Sequence, residues 1–542
     1  MLLIKLRQMK RTAVFLLVLI LGVSLFAANG QKVIPLESDV YRAIDELYIL
    51  EGKAVPSTTR PWTVAETVKI LSKVSKETSV ELYSIVEEAI KEEPKIKVDD
   101  IFGMTFGGYA SITGYAHTNK GYAYPFNDMT NNLFRSEHEV PTFRADWEAW
   151  VGEHLYSFVW YQYKNEYYNN GYSDFNFDFD IANLTPKGFT TDMDQREPSR
   201  AFFVIGSDSW SLEYGRDRLL MGAGNSGSLI FSNTMPYQHL LRFSLFGNRY
   251  KYSFIMSFYP HLYRDEEHGI QEGGDGVLFY MTHRLECRFM SDRLYAAVNE
   301  SIMYRKDGDA ADIRYVNPVM YFHNYFISDN ANSIVDLEAS FTFAKGWNLY
   351  GQFALDQFAS PVELAEDKFN EPLAFGAMLG LKNVSLAGKG VLTIALEGAY
   401  TMPYLYLRAK YIAELETNPV QDVTDPGLGY VGSYRGNLFY IGYRYGGDAV
   451  VADLKLSYEV PSSWMISAEG LYMVHGEKNI RSLFTVGDDA FAPSGESWSF
   501  ILLELSAKKH LSRSVSVYFR YDMIQGSRGS DNQFALGIEV GF

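Results

Sequence analysis

Residues 222–227, Gly-Ala-Gly-Asn-Ser-Gly, have the GxGxxG spacing with which many proteins bind the pyrophosphate of a dinucleotide. That site requires a strand before the glycines and a helix after them, because the helix N-terminus binds the phosphate. The next residues, Ser-Leu-Ile-Phe, do not favour a helix. Ser226 and Ser228 also have the wrong spacing for a Gly-x-Ser-x-Gly nucleophile, and no Walker Lys-Ser/Thr pair follows. The sequence therefore predicts neither a nucleotide site nor a serine nucleophile here.

Histidine, cysteine and acidic residues show no catalytic or metal-binding pattern. There is no His-Glu-x-x-His helix; His283 lies in a predicted strand and His323 near a loop, where structural hydrogen bonding is expected. Cys287 is the only cysteine, which excludes an internal disulfide or a paired thiolate site. Residues 174–181 alternate acidic or amide side chains with aromatic or aliphatic ones, and strand spacing does not wrap such oxygens around one Ca²⁺. We predict no metal, no cofactor and no enzymatic activity.

Alternation with a period of two dominates the chain from about residue 101 to the end. In residues 533–542 one face of the predicted strand is wholly apolar and the other is small or polar, as in the terminal recognition strand of bacterial outer-membrane barrels. The apolar face consists of Phe534, Leu536, Ile538, Val540 and Phe542. An open sheet edge cannot persist in hydrocarbon, so the remaining strands must close a barrel.

Short turns alternate with long polar loops along residues 101–542. Counting strands between them predicts an all-β transmembrane β-barrel of about 18 antiparallel strands with both ends in the periplasm. Residues 437–445 either extend a barrel strand or form a hairpin within a loop. The 15% aromatic content suits girdles at the membrane interfaces, and the net charge of −17 makes nucleic acid an unlikely partner.

The N-terminus has a different pattern. Basic residues precede an apolar run at residues 13–26, which predicts a signal peptide within residues 1–30, starting at Met1 or Met9. Residues 31–100 then show helical periodicity, with Thr63 and Glu66 as a capping box, and we predict a small periplasmic α-helical unit. Residues 60–66 resemble the end of a surface-layer-homology repeat, which ties barrels to the cell wall; a helical plug or packing cap is the alternative.

Several stretches together resemble the Wzi family of capsule-assembly outer-membrane proteins, and the resemblance covers most of the mature chain. In order, they are Gly-Arg-Asp-Arg at 215–218, the glycine-rich residues 221–233, His-Arg-Leu-Glu at 283–286, Tyr-Val-Asn-Pro-Val at 315–319 with His323, Asn324, Asp329 and Asn330, and Tyr-Arg-Tyr-Gly-Gly-Asp at 443–448.

The resemblance implies a non-enzymatic, lectin-like protein that helps assemble or attach capsular or extracellular polysaccharide at the cell surface. Its partners would be surface polysaccharide, outer-membrane lipid and, through the helices, peptidoglycan. Arg216 and Arg218 either bind acidic sugars or pair with Glu213 and Asp217. The candidate glycan-contacting residues, placed in extracellular loops, are Arg216, Arg218, Asn225, Asn233, His323, Asn324, Asp329 and Asn330.

Two other functions share this fold. A general diffusion porin, or a wall-tethered channel, has the same barrel but an open lumen. A barrel lipase or protease would need a nucleophile and a base, and no such arrangement is recognisable in the sequence. An open or a plugged lumen is therefore the property that separates a channel from a scaffold.

Overall fold

The computed structural model is a closed antiparallel barrel of eighteen strands. It confirms the predicted fold class and strand number. The residues that the structure describes are 29–92, 95–97, 101–119, 140–163, 200–232, 237–259, 262–265, 269–272, 276–307, 331–357, 373–407, 409–410, 423–424, 431–434, 437–480, 482 and 491–542. The predicted signal peptide lies almost wholly outside them.

The wall consists of consecutive strands that pair with their neighbours in chain order. Their bounds are β1 Phe102–His117, β2 Phe143–Val151, β3 Leu155–Tyr163, β4 Arg200–Gly206, β5 Trp210–Asp217, β6 Gln238–Phe246, β7 Tyr250–Tyr259, β8 Gly276–Phe289, β9 Leu294–Asp307, β10 Ala331–Ala344, β11 Trp347–Gln357, β12 Ala374–Ala387, β13 Gly390–Thr401, β14 Ala449–Val460, β15 Trp464–His475, β16 Trp498–His510, β17 Val515–Gly526 and β18 Gly529–Gly541.

The terminal strand closes the barrel. β18 pairs antiparallel with β1, from Gln533 opposite His117 to Gly541 opposite Tyr109. The predicted apolar face of β18 points outward, and Phe542 remains exposed. The alternation in residues 533–542 therefore identified both the strand and its lipid-facing side.

Polar and apolar side chains alternate across the wall. On β10, Leu337 faces outward with 54% of its surface exposed, while Asp336 and Ser340 face inward and are fully buried. An apolar outer face in contact with lipid and a polar interior are the pattern of outer-membrane barrels.

Short turns lie at one end of the barrel, which is the periplasmic end in such proteins. Gly346, between β10 and β11, has a φ of +79°, and a Cβ there would lie 2.6 Å from the carbonyl oxygen of Val384. Only glycine fits both restrictions. At the other end, Val431–Tyr434 pairs with Asn437–Tyr440, so the hairpin interpretation of residues 437–445 is correct.

Among the residues that the structure describes, three helices precede the barrel: α1 Asp39–Leu50, α2 Val64–Leu71 and α3 Val80–Ile90. The Thr63 hydroxyl caps α2 by accepting from the Glu66 amide at 3.3 Å, as half of the predicted capping box. The Glu66 carboxylate, which was expected to form the other half, accepts instead from the ammonium of Lys251 of β7 at 2.6 Å. In the described residues, no helix is both long and apolar enough to cross a membrane.

The helices pack inside the periplasmic mouth of the barrel. Val40, Ile44 and Leu47 of α1 form one apolar cluster with Val384 and Val391 of the inner wall. The same unit contacts the wall elsewhere through ion pairs, such as Lys32 with Glu148 of β2 at 3.0 Å. The contacts of residues 29–92 are those of a plug, which agrees with the plug or cap alternative.

Candidate functional site in the lumen

The segment between α1 and α2 lies along the inner wall, and cations of the wall donate to its carbonyl oxygens. The donor–acceptor distances are 2.5 to 2.9 Å. Buried carbonyl groups outside regular secondary structure need such partners. The pairs are Arg288 with Ala54 and Val55, Lys251 with Thr59, and Arg242 with Pro61.

Arg284 of β8 is the centre of a buried charge cluster beside this segment. It binds Glu286 at 3.3 Å, Asp336 at 3.4 Å, and Glu338. The Thr58 hydroxyl of the plug donates to Glu338 at 3.0 Å. Each of the three carboxylates keeps one buried oxygen without a hydrogen bond to any described group. The cluster therefore contains three acidic side chains, and Arg284 binds all of them.

The glycine-rich segment, residues 218–232, folds back into the lumen and meets the N-terminal plug. Leu220 and Met221 pair with Arg60 and Thr59 as a two-residue antiparallel ladder. Phe231 and the two residues before it are almost fully buried in the main core cluster of the lumen. This segment is thus not an exposed extracellular loop, because its apolar residues bury themselves inside the barrel.

One carboxylate of the wall accepts several hydrogen bonds from the glycine-rich segment. Glu397 of β13 accepts from the backbone amides of Asn225 at 2.7 Å and Ser226 at 2.9 Å. It also accepts from the Ser226 hydroxyl and from Tyr350 of β11, the latter at 2.8 Å. Bonds to an ionised acceptor are about twice as strong as neutral ones.

Two glycines allow this close approach. Gly222 has a φ of +123°, and a Cβ there would lie 2.6 Å from the side-chain nitrogen of Gln352. Gly227 has a φ of +148°, with the ring of Tyr443 3.1 Å from the equivalent position. The glycines of the GxGxxG spacing therefore serve packing in the lumen and not phosphate binding.

Tyrosines cover the glycine-rich segment on the extracellular side. The Tyr406 hydroxyl donates to the Leu229 carbonyl at 2.6 Å and accepts from the Tyr443 amide at 3.1 Å. Nearby, Asp448 accepts from the amides of Ser494 at 2.7 Å and Lys478 at 2.9 Å, which joins two loop segments. The described residues thus fill the lumen in three layers, namely the helices, the glycine-rich segment and the tyrosine cover.

An aromatic stack lies at the extracellular rim. The guanidinium of Arg528 lies 4.5 Å from the ring centre of Trp498, and that ring is also stacked on His475, with 5.4 Å between the ring centres. Arg528 is exposed, whereas only 9% of the Trp498 surface is exposed. The exposed cation of Arg528, held against this ring, has the chemistry to bind an acidic sugar.

Burial and charge pairs set the protonation of plug residues. Burial raises the pKa of Glu66, and the Lys251 ammonium partly opposes that rise. Burial lowers the pKa of Arg218, but Tyr237 and Glu37 outweigh it, so that the pKa is raised. Both groups therefore take part in internal ion pairs.

Two of the predicted glycan contacts are engaged inside the protein. Arg218 pairs with Glu37 of the N-terminal plug, and the Asn225 side chain donates to the Tyr350 hydroxyl at 3.2 Å. Arg216 lies on the outward-facing side of β5, the side that also carries the exposed Tyr214. The Arg216 side chain itself is buried. Asn233, His323, Asn324, Asp329 and Asn330 lie outside the described residues, as do residues 174–181.

The side-chain ion pairs of Glu213 and Asp217 are with other arginines, while the backbone amide of Arg218 donates to Asp217 at 2.7 Å. Glu213 binds Arg242, and Asp217 binds Arg200 at 2.6 Å. Both acids face the lumen, whereas Arg216 faces outward, so side chains on opposite faces of β5 cannot pair.

The residues that bind the inner segments were not predicted as site residues from the sequence; they are Arg242, Lys251, Arg288, Glu397 and Arg284, the last of which appeared only within the stretch 283–286. Each is a charged residue at an inward position of an alternating strand. Their inward position was the sequence signal that could have identified them as binding residues, because a buried inward charge requires a partner. The identity of the partner was not available from the strand itself.

In the described part of the chain no three His, Cys, Asp or Glu residues are grouped so that they could hold a metal ion. The eighteen-stranded barrel, with its apolar outer face and polar interior, defines an outer-membrane β-barrel protein of the bacterial cell.

Comparison with known structures finds one similar fold with a TM-score above 0.5, which supports this class, and others with lower scores. Wzi of Escherichia coli, described as a carbohydrate-binding β-barrel involved in group 1 capsule assembly, has a TM-score of 0.59 and 12% identity, covering 94% of this chain and 99% of its own. OccAB4 of Acinetobacter baumannii has a TM-score of 0.42 and 8% identity, covering 82% and 98%. OprD of Pseudomonas aeruginosa has a TM-score of 0.39 and 10% identity, covering 81% and 95%.

At these identities the similarity is one of fold alone. No family model matches the chain, and no curated protein matches it at a significant level.

Proposed function

We propose that this chain is a non-enzymatic, lectin-like barrel that helps to assemble or attach capsular or other extracellular polysaccharide at the outer membrane. The observation that carries the proposal is the filled lumen. Helices, the glycine-rich segment and tyrosines occupy successive levels of the barrel in the described residues. A diffusion porin needs a continuous aqueous path, and segments packed at successive levels inside the barrel argue against one.

The extracellular rim supplies the chemistry for a glycan. Arg528 offers an exposed cation, Trp498 holds the guanidinium of Arg528 in place, and the similar fold of Wzi belongs to a carbohydrate-binding barrel. Among the sequence candidates, Asn233 and the residues from His323 to Asn330 remain proposed contacts. A wall-binding role for the helices also remains a proposal, and a peptidoglycan pull-down of the full chain tests it.

Binding of the detergent-purified chain to immobilised surface polysaccharide tests the function. We expect saturable binding that the pair of substitutions Trp498→Ala and Arg528→Ala weakens at least tenfold. Trp464→Ala is the matched control, since Trp464 begins β15 at the periplasmic end. A deletion strain complemented with the rim variant should retain less capsule than one complemented with the control.

Planar-bilayer conductance tests the rival function. The plugged barrel predicts no large, steady open state. A large ohmic conductance of the intact chain, or unchanged polysaccharide retention after gene deletion, would contradict the proposal.

A further inference from the structure

A cleft lies between the helical unit and the periplasmic rim of the barrel. Its volume is about 40 Å³. One buried water needs about 10–15 Å³ by this measure, so the cleft has room for a group of about three water molecules, the size of a tetrahedral oxyanion. α2 forms one side, and the turn between β6 and β7 forms the other.

The lining of this cleft is basic, although the chain as a whole carries a net charge of −17. Its cationic residues are Lys69, Lys73, Lys251 and Arg288, and its carboxylates are Glu66 and Glu286. The carboxylates are already bound, because Glu66 pairs with Lys251 at 2.6 Å and Glu286 pairs with Arg284 at 3.3 Å. The unneutralised charge that faces the cleft is therefore positive.

Lys69 has no side-chain hydrogen bond or ion pair to any group in the described residues. Lys73, one helical turn further, is bound to Asp292 at 3.3 Å. Arg249 is exposed in the β6–β7 turn, and its guanidinium contributes, with that of Arg288, to the charge around Lys73. The Lys69 ammonium, which lines the cleft, is thus available to a ligand without breaking an existing ion pair, and Arg249 adds positive charge nearby.

Burial lowers the pKa of Lys73, and the neighbouring Arg288 and Arg249 guanidinium groups act in the same direction against the opposing Asp292 carboxylate. A surplus of like charge around a partly buried ammonium is relieved by a bound anion. Lysine binds phosphate as a point charge, and arginine adds a planar set of donors.

We propose that this cleft binds a phosphate group from the periplasmic side. The group can belong to free phosphate or to the headgroup of an anionic phospholipid, since the cleft opens at the rim of the barrel. The site is independent of the proposed polysaccharide function, which concerns the opposite end of the molecule.

Isothermal titration of the full chain in detergent tests the site, with inorganic phosphate in one arm and a short-chain phosphatidylglycerol in the other. We expect saturable binding in at least one arm. Lys69→Gln should weaken it about fivefold, as for one partly screened charge pair, and Lys69→Glu should abolish it. Raising the salt concentration from about 0.02 to 0.2 M should weaken binding, because the Debye length shortens.

Lys76→Gln is the matched control, because Lys76 lies on the same helical unit, does not line the cleft and pairs with Glu87. Heat-modifiable migration on gels should show that all variants are folded. Binding by inorganic phosphate identifies a free-anion site, and binding by the lipid alone identifies a headgroup site. No binding in either arm, or equal binding by Lys69→Glu and Lys76→Gln, would overturn the proposal.

Discussion

Two segments inside the barrel are bound to its wall in opposite ways. The lower one is the N-terminal segment between α1 and α2, and the upper one is the glycine-rich segment. The N-terminal segment presents carbonyl oxygens, and the wall supplies cations that donate to them. The glycine-rich segment presents amide groups, and the wall supplies the Glu397 carboxylate that accepts from them. Both segments lack regular structure over much of their length, so the wall has to provide the partners that a helix or sheet would otherwise give.

The two segments also differ in what else stabilises them. The lower segment lies beside the Arg284 cluster, where charge is concentrated and pairing is incomplete. The upper one buries Leu229, Ile230 and Phe231 in an apolar core, and next to that core the amides of Asn225 and Ser226 share one ionised acceptor, Glu397. The loss of a charge should therefore be more costly below than above, and the substitutions that follow test that difference.

Arg284→Met should have the largest effect. The substitution leaves Glu286, Asp336 and Glu338 buried without their shared cation, and breaking such a cluster costs about 3–5 kcal/mol. The free energy of unfolding, measured by urea titration of the barrel in detergent micelles, should fall by that amount.

Lys455→Met is the matched control. Its ammonium lies 3.6 Å from Glu469, and the side chain is 44% exposed, so its removal should cost about 0–1 kcal/mol. Equal losses for the two variants would show that the Arg284 cluster is hydrated rather than buried.

The wall and the caps of the helices follow from local sequence. Alternation along β10 and β18 predicted the strands and their lipid face, and Thr63 with Glu66 predicted the start of α2. These features depend on residues within a few positions of one another. They were predictable because strand and helix periodicity are properties of short segments.

The plug was not predictable in the same way. Thr58 and Glu338 are bonded across 280 positions of sequence, and no local pattern identifies such a pair. Glycine, asparagine and serine in residues 222–227 favoured a loop, whereas the burial of Leu229 and its neighbours depends on a cavity that only the closed barrel creates. The candidates Arg218 and Asn225 were therefore expected outside and lie inside.

The attachment of α1 to the wall should depend on pH through Glu46. Burial raises the pKa of Glu46 to about 7 from 4.5, opposed by Arg42 and by the hydroxyl of Thr393, which donates to it at 3.0 Å. Because the folded pKa is the higher one, the stabilisation is fully present below pH 4.5 and is lost as the pH rises through 7. The local opening free energy of α1, from amide hydrogen exchange, should fall by at most about 3 kcal/mol between pH 4.5 and 8.

Glu46→Gln removes the titrating group and is expected to flatten this dependence while α1 remains folded. Glu87 offers a contrasting site in α3, since hydrogen bonds from Lys76 and Lys91 lower its pKa to about 2, below this pH range. Glu87→Gln should leave the pH dependence of α1 unchanged. A pH profile that is the same with and without Glu46 would contradict the assignment.

Glu397→Gln should have the smallest effect of the three, and it probes the upper segment alone. The neutral amide keeps one acceptor oxygen but loses the charge that strengthens the bonds from Asn225 and Ser226, at a cost of about 1–2 kcal/mol. The core around Phe231 should keep the segment in the lumen. Exchange of the two amides should therefore accelerate about tenfold, while the exchange of β13 amides stays unchanged.

Glu469→Gln is the control. Glu469 is an inward carboxylate that pairs with Lys455, and its replacement should not accelerate exchange of the Asn225 and Ser226 amides. If Glu397→Gln instead raised the bilayer conductance to that of an open pore, one carboxylate would hold the whole upper plug in place, and the apolar core would contribute less than its burial implies.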